Sequence, residues 1–228
     1  MQLVVDEYTD STRGERKPTL FYPSEADRTL LLLADASETV FSRCYQPLID
    51  VVKASFIDSL LQSDGPLQER LRSACRAIGT AMRGRFSSST EFGEECYSAV
   101  FVVLGIEEGR AFPFWIGSPQ AKHLRGGVCI RATIPQVTVI PTSNLIVTNN
   151  SMTTSPDSCA SVATDEPWPL VSGDVLVLAD HRLFAQFSER DLAGVIRRAR
   201  GNKAKALVDA AQSLAFTFAQ SAIVARLL

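Results

Sequence analysis

The stretch LLLLADASET, Leu30 to Thr39, drives four leucines and an alanine straight into an aspartate. A run this apolar belongs in a core, and an unpartnered carboxylate at its end is costly to bury. Asp35 is therefore either exposed at a strand end or held by a partner. A metal, a hydrogen-bond network or water would serve.

The rest of the chain places that run among alternating blocks. TLFYPSEADRTLLLLAD reads as two strands joined by a turn around Pro23-Ser24 and Asp27-Arg28. Residues 38–62 read as a helix, because Val40, Cys44, Leu48, Val51, Val52, Phe56 and Leu60 step by three and four. Ser37 is its expected N-cap, and Asp64-Gly65 its stop. Pro66 opens a second helix whose apolar stripe is Leu67, Leu71, Cys75, Ile78 and Met82. RFSSSTEFGEE is a polar loop.

From Cys96 onward the pattern changes to short strands. YSAVFVVLGIEEGRAFPFWIG is expected to form a hairpin turning at Glu107–Gly109, and QAKHLRGGVCIRATI another turning at Gly126-Gly127. VTVIP and NLIVT are further strands, and residues 149–166, rich in Ser, Thr, Asn and Asp, read as a mobile loop. GDVLVLAD is a strand. Ser188-Glu189-Arg190-Asp191 then has capping-box spacing. DLAGVIRRAR and AKALVDAAQSLAFTF are helices, and SAIVARLL closes the chain as a strand. This order predicts an α+β fold of mainly antiparallel sheets, interleaved enough to make residues 1–228 a single domain.

Composition excludes several functions. Net charge is −2 with both signs interspersed, so no basic field for nucleic acid exists, and the local cluster Arg197, Arg198, Arg200 reads as a solvated helix face. The aromatics are not interleaved with basic residues as base stacking requires. Five cysteines, odd in number and without CxxC spacing, argue against a disulfide framework and a structural zinc site. No apolar run reaches membrane-spanning length, and the amino terminus lacks a signal-peptide pattern, so a soluble cytoplasmic protein is expected. With two histidines, no GxxxxGK[ST] loop and no hydrolase nucleophile elbow around IGSPQ, phosphate-loop and Ser-His-Asp chemistries are unsupported. His123 is expected to be a packed or exposed strand residue.

Four stretches together resemble the metal-dependent protein serine/threonine phosphatases, the phosphatase-2C or PPM family. LLLADASET resembles the family's VVADGMGG, which places Asp35 on the metal-bridging aspartate. FWIGSPQAKHLRGG resembles NVGDSRAYLLRDG, with Gly117 and Gly127 in register. GDVLVLADHRLFAQFSERDL resembles GDVLLLASDGLWEVLSEEEL without a gap, and QSAIVARLL resembles DNATVVVVRL. The resemblance implies two packed antiparallel β-sheets flanked by helix pairs. It also implies two Mg²⁺ or Mn²⁺ ions bridged by a water that attacks a phosphoryl group. A metal pair of that kind needs several carboxylates.

Most of those carboxylates are missing. Asp35 is kept, but the glycine after it is Ala36, whose backbone oxygen survives only if alanine adopts the turn. The aspartate of GDSR is Ser118, followed by Pro119 and Gln120. The aspartate of SDG falls on His181, with Arg182 for its glycine, and the terminal DN falls on Gln220-Ser221. At the amino terminus GERKP lacks the acid of GxxRxxNED, although Arg13 or Arg16 could supply a phosphate-gripping arginine. Asp180 sits one position early, and on a strand such a shift turns a side chain to the other face. His181 could itself take a divalent ion beside Asp35, since imidazole suits Zn²⁺, Mn²⁺ or Fe²⁺.

Without metals, clustered carboxylates repel by roughly 4 kcal/mol per close pair at an intermediate dielectric, and the substitutions relieve that repulsion. Arg182 or a charged His181 would then hold Asp35. The expectation is a catalytically inactive phosphatase-like domain, a pseudophosphatase, without a cofactor. It would act in signalling by binding a kinase, a phosphatase or a phosphoprotein. One alternative is a divergent phosphatase for phosphoserine and phosphothreonine, using Mn²⁺ or Mg²⁺ at Asp35 with His181 or Asp180. Another is a structural or oligomerising module with residues 149–166 as its contact segment. Neither nucleic acid nor a membrane is an expected partner, and the sequence does not set the oligomeric state.

Overall fold

The computed structural model describes residues 2–10, 19–24, 28–36, 42–86, 97–140, 145–148, 151–153, 161–213 and 220–228. The elements, in chain order, are β1 (Leu3–Thr9), β2 (Thr19–Ser24), β3 (Arg28–Ala36), α1 (Ser42–Gln62), α2 (Leu67–Phe86), β4 (Ser98–Glu107), β5 (Arg110–Ile116), β6 (Pro119–Arg125) and β7 (Val128–Ala132). They continue with β8 (Val137–Ile140), β9 (Leu145–Thr148), β10 (Met152–Thr153), β11 (Ala163–Thr164), β12 (Trp168–Pro169), β13 (Val175–Asp180), α3 (His181–Phe184), α4 (Glu189–Arg198), α5 (Lys203–Gln212) and β14 (Ser221–Leu227).

One sheet has the order β1-β14-β13-β6-β7, and a second has β11-β5-β4-β3-β2 with β10 on β4 and β12 on β5. Every pairing among them is antiparallel. Alternation along the strands divides the interior into three layers. Leu31 and Leu33 of β3 pack between the sheets with Leu176 and Leu178 of β13, Ile223 and Ala225 of β14, and Trp168. Leu30, Leu32 and Ala34 point the other way, under α1 and α2. On the far sheet Val177, Ala179, Ala222 and Val224 face α3, α4 and α5. The result is an α+β sandwich of two antiparallel sheets with helices on both outer faces, the architecture the sequence pattern predicts.

The predicted helical stripe of α2 is buried at every position, Leu67, Leu71, Cys75, Ile78 and Met82 alike. In α1, Leu48, Val52, Phe56 and Leu60 are buried and Val51 packs beside them. The side chain of Cys44, and Ser37 with Val40, lie outside the described residues. Ser188 caps α4 as its spacing predicts: its hydroxyl accepts from the Asp191 amide and donates to Asp191 Oδ2 at 2.6 Å.

One strand was not anticipated, and one reading needs correction. The amino-terminal segment holds a strand, β1, which pairs with the closing strand from Leu3↔Leu227 to Thr9↔Ser221. Its polar residues hide the signal, because as an edge strand it buries little on one side. Within residues 149–166, read as loop, Met152-Thr153 pair with Ala99 and Ser98, and Ala163-Thr164 with Trp115 and Phe114. These pairs are short, and backbone hydrogen bonds rather than apolar periodicity define them, so composition conceals them.

Candidate functional site

The apolar run of β3 ends where the sheets present their strand ends. Asp35 pairs with Val100 on β4 and follows Leu31 and Leu33 in the row that faces the other sheet. Its Oδ1 accepts the Ala36 amide at 2.8 Å.

Opposite it, the chain crosses from β5 in one sheet to β6 in the other through Gly117 and Ser118. Gly117 has φ 84°, a left-handed conformation that strains residues with a β-carbon. Gln136 clamps this crossover: its Oε1 accepts the Gly117 amide at 2.9 Å, and its own amide donates to the Gly117 carbonyl at 2.9 Å. Ser118 is thereby held at the mouth of β6, where its hydroxyl donates to Asp180 Oδ2 at 2.8 Å.

Asp180 ends β13 and caps α3. Its backbone is extended, at φ −66° and ψ 150°, and its Oδ1 accepts the Arg182 amide at 2.8 Å. Because the backbone stays extended, Asp180 continues the inward row of Leu176 and Leu178. This corrects the expectation from register. The one-residue shift does separate Asp180 from His181, but Asp180 is the residue on the Asp35 side.

His181 turns outward. Its Nδ1 is 3.1 Å from Gln120 Oε1, and Gln120 in turn donates from Nε2 to the Thr133 carbonyl at 2.9 Å. Gln120 shares the outer row with Lys122, whose ammonium lies 4.8 Å over the Phe184 ring. Burial lowers the His181 pKa; Asp180 opposes that, and Lys122 adds to it. His181 is thus committed to the outer face of its sheet rather than to Asp35.

Arg182, the next residue, feels the charge of Asp35. Burial pulls the pKa of its guanidinium down, and the Asp35 carboxylate pushes it back up. Of the two cations expected to hold Asp35, His181 turns to Gln120 and Arg182 lies within the field of the carboxylate. The physical reason is the helical turn of α3, which separates the directions of adjacent side chains.

Gln220 lies at the same edge, its carbonyl accepting the Asp10 amide at 2.9 Å. Its carboxamide is buried, yet neither its nitrogen nor its oxygen has a hydrogen-bond partner. Arg13 and Arg16 lie outside the described residues. Among the described residues, no group of three or more His, Cys, Asp or Glu side chains could hold a metal ion.

A second polar cluster lies at the opposite end of β13 and was not anticipated. His123 Nε2 is 2.7 Å from Asp174 Oδ2, and Arg125 donates to both carboxylate oxygens, from Nε and Nη2 at 2.8 Å each. Asp174 also accepts the Val171 amide at 2.9 Å. Burial alone would raise the Asp174 pKa, but Arg125, Val171 and His123 hold it down to about 2. Burial lowers the His123 pKa. The strand position of His123 gave no hint of this, since its partner lies beyond the hairpin, immediately before β13.

Comparison with solved structures decides the architecture. The S. agalactiae serine/threonine phosphatase superposes with a TM-score of 0.80 at 14% identity, covering 100% of both chains. The chain has the phosphatase-2C fold. The Mycobacterium tuberculosis serine/threonine phosphatase PstP/Ppp matches with a TM-score of 0.77 at 18% identity, covering 99% of this chain and 98% of that one. The catalytic domain of PstP in complex with two manganese ions matches with a TM-score of 0.72 at 15% identity, over 98% and 97% of the chains. No protein-family model and no curated protein sequence matches the chain.

The phosphatase-2C fold implies a metal pair, and the described residues do not fit one. Asp35 has the positive charge of Arg182 within its field. Both oxygens of Asp180 are engaged by Ser118 and Arg182. The remaining positions contribute a hydroxyl, an outward imidazole and a neutral carboxamide, a set too poor in charge for two divalent ions.

Proposed function

We propose that this chain is a catalytically inactive phosphatase-2C-like domain, a pseudophosphatase, that acts in signalling by binding a protein partner. A kinase, an active phosphatase and a phosphoprotein are the partner classes that fit such a role. The observation that carries the proposal is the state of Asp180, the carboxylate closest in sequence to the missing third acid. One of its oxygens accepts a serine hydroxyl and the other caps a helix, so it is consumed in holding the fold together. A surface that retains the phosphatase shape without its ligand set is suited to recognition rather than hydrolysis.

The test is turnover of phosphoserine and phosphothreonine peptides by the purified chain, with Mn²⁺ or Mg²⁺ present. No hydrolysis above a heat-denatured control, together with saturable binding of a phosphopeptide or kinase, is the expected result. Metal-dependent hydrolysis that is lost in Asp35→Asn would overturn it in favour of a divergent phosphatase. Self-association with neither binding nor turnover would point to a structural module.

A further inference from the structure

We infer that Arg197, Arg198 and Arg200, at the end of α4, form a docking surface for a phosphorylated segment of a partner protein. The inference rests on the reading of this domain as a binder and says where the partner is held.

From Ala193 to Ala204 the chain carries four cations and no acid, in a protein whose net charge is −2. Two ordinary duties could absorb such charges, and neither does. Basic residues at a helix end offset the charge of its last carbonyls. Lys203 already fills that role, because its ammonium donates to the Ile196 carbonyl at 2.8 Å and to the Ala199 carbonyl at 3.2 Å. Cations on a helix surface also pair with an acid one turn away, as Lys205 does with Asp209 at 2.6 Å. No residue three or four positions from Arg197, Arg198 or Arg200 is an acid. Asp6, which lies beside this turn, is spent on the start of α5, where its Oδ2 accepts the Lys203 amide at 3.1 Å. All three arginines are exposed, and among the described residues their guanidinium groups have no ion-pair or hydrogen-bond partner.

One of them is also held in place. A β-carbon on Gly194 would stand 3.1 Å from Arg198 Nη1 and 3.6 Å from both Cζ and Nη2. The guanidinium therefore lies against the bare backbone of α4. Glycine is a poor residue for a helix interior, and here its missing side chain makes the berth. A side chain already placed loses less freedom when a ligand arrives.

The chemistry of the cluster selects the occupant. Guanidinium groups present forked donors that match phosphate oxygens, and arginine clusters read phosphorylated peptides in this way. A phosphate brings nearly two charges to one point, against one for a carboxylate. Ala193 to Ala204 contains no aromatic residue, so a nucleic-acid base has nothing there to stack on.

The test is fluorescence polarisation with a labelled degenerate peptide pool fixed on a central phosphoserine. The same pool with serine, an aspartate-rich peptide and a single-stranded oligonucleotide run beside it. The wild-type chain is compared with Arg197→Gln/Arg198→Gln and with Arg72→Gln/Arg76→Gln, which removes equal charge from exposed positions on α2. Both variants keep Lys203 and its bonds to the end of α4. The phosphoserine pool is expected to bind the wild type at least tenfold more tightly than the other probes. That affinity should fall at least tenfold in the α4 variant and stay within twofold in the α2 variant. Phosphopeptide binding that survives in the α4 variant would overturn the inference and leave the domain a binder through another surface. Equal loss in both variants, or tighter binding of the aspartate-rich peptide or the oligonucleotide, would also overturn it. Metal-dependent hydrolysis of the phosphopeptides would instead overturn the proposed function, so the two readings fail separately.

Discussion

Ser118 donates its hydroxyl to Asp180 across the mouth of two neighbouring strands, β6 and β13, at 2.8 Å. A bond from a hydroxyl to a carboxylate with limited solvent access contributes more than a neutral pair. Ser118→Ala is therefore expected to cost about 2 kcal/mol in urea unfolding. Ser118→Asp is expected to cost more in the presence of a chelator, since it sets two carboxylates side by side. A chelator-treated Ser118→Asp as stable as the wild type would contradict this account of the strand mouth.

The His123–Asp174–Arg125 cluster makes stability depend on pH. With its pKa lowered by burial, His123 binds fewer protons in the folded state than in the unfolded chain as pH falls through 6.5. Its contribution is present above pH 6.5 and is lost as pH falls through that value. Asp174 adds about 2 kcal/mol that is present above pH 3.8 and lost as pH falls toward 2. Among the described residues the charged groups acting on His123 are Asp174, which opposes the lowering, and Arg125 and Arg131, which add to it. Unfolding free energy measured from pH 7.5 to 5 should fall for the wild type and run flatter for His123→Leu. Parallel curves would remove His123 as the cause.

Two glycines against α2 should respond differently to alanine. A β-carbon at Gly105 on β4 would stand 2.5 Å from Leu71 Cδ1 and 3.2 Å from Leu67 Cδ2, both in a packed layer. Overpacking there is expected to cost about 2 kcal/mol. At Gly79 the closest atom is Met152 Sδ at 2.7 Å, the middle of an unbranched and adaptable side chain. The helix propensity gained by alanine, about 1 kcal/mol, offsets that adjustment. Gly79→Ala should be near neutral, and thermal melting of the two variants side by side checks the contrast.

Cys75 lies in the layer under α2, and burial pushes its thiol far above the ordinary range. It is expected to resist alkylation in the native chain and to react fully in urea. Peptide-level mass spectrometry after a short pulse of iodoacetamide reads this directly. Native labelling of Cys75 as fast as that of half-buried Cys129 would mean that α2 opens readily.

Much of the fold was legible because its elements bury one face. The stripe from Leu67 to Met82 has helical spacing, and each of its members is buried in the layer beneath the helices. The hairpin turns at Glu107–Gly109 and Gly126-Gly127 were readable for a different reason: local chemistry permits positive φ there, and Glu108, Gly109, Gly126 and Gly127 all adopt it. What failed was local signal. β1 alternates imperfectly and is recognised only by its partner β14, while β10 and β11 each hold two residues.

The site divides in the same way. From residue order alone, Asp35 belongs at the end of a buried strand, most acids of a metal pair are absent, and a cation follows His181. Those are consequences of composition and spacing along one segment. Which cation meets Asp35 could not be read there, since His181 and Arg182 are neighbours in the chain and equally close to the strand end. The turn of α3 sends one side chain outward to Gln120 and brings the other into the field of Asp35. The bond between Ser118 and Asp180, and that between His123 and Asp174, join residues 62 and 51 positions apart. Pairing at that distance is decided by the sheet order β14-β13-β6, which sets residues side by side that the chain itself keeps far apart.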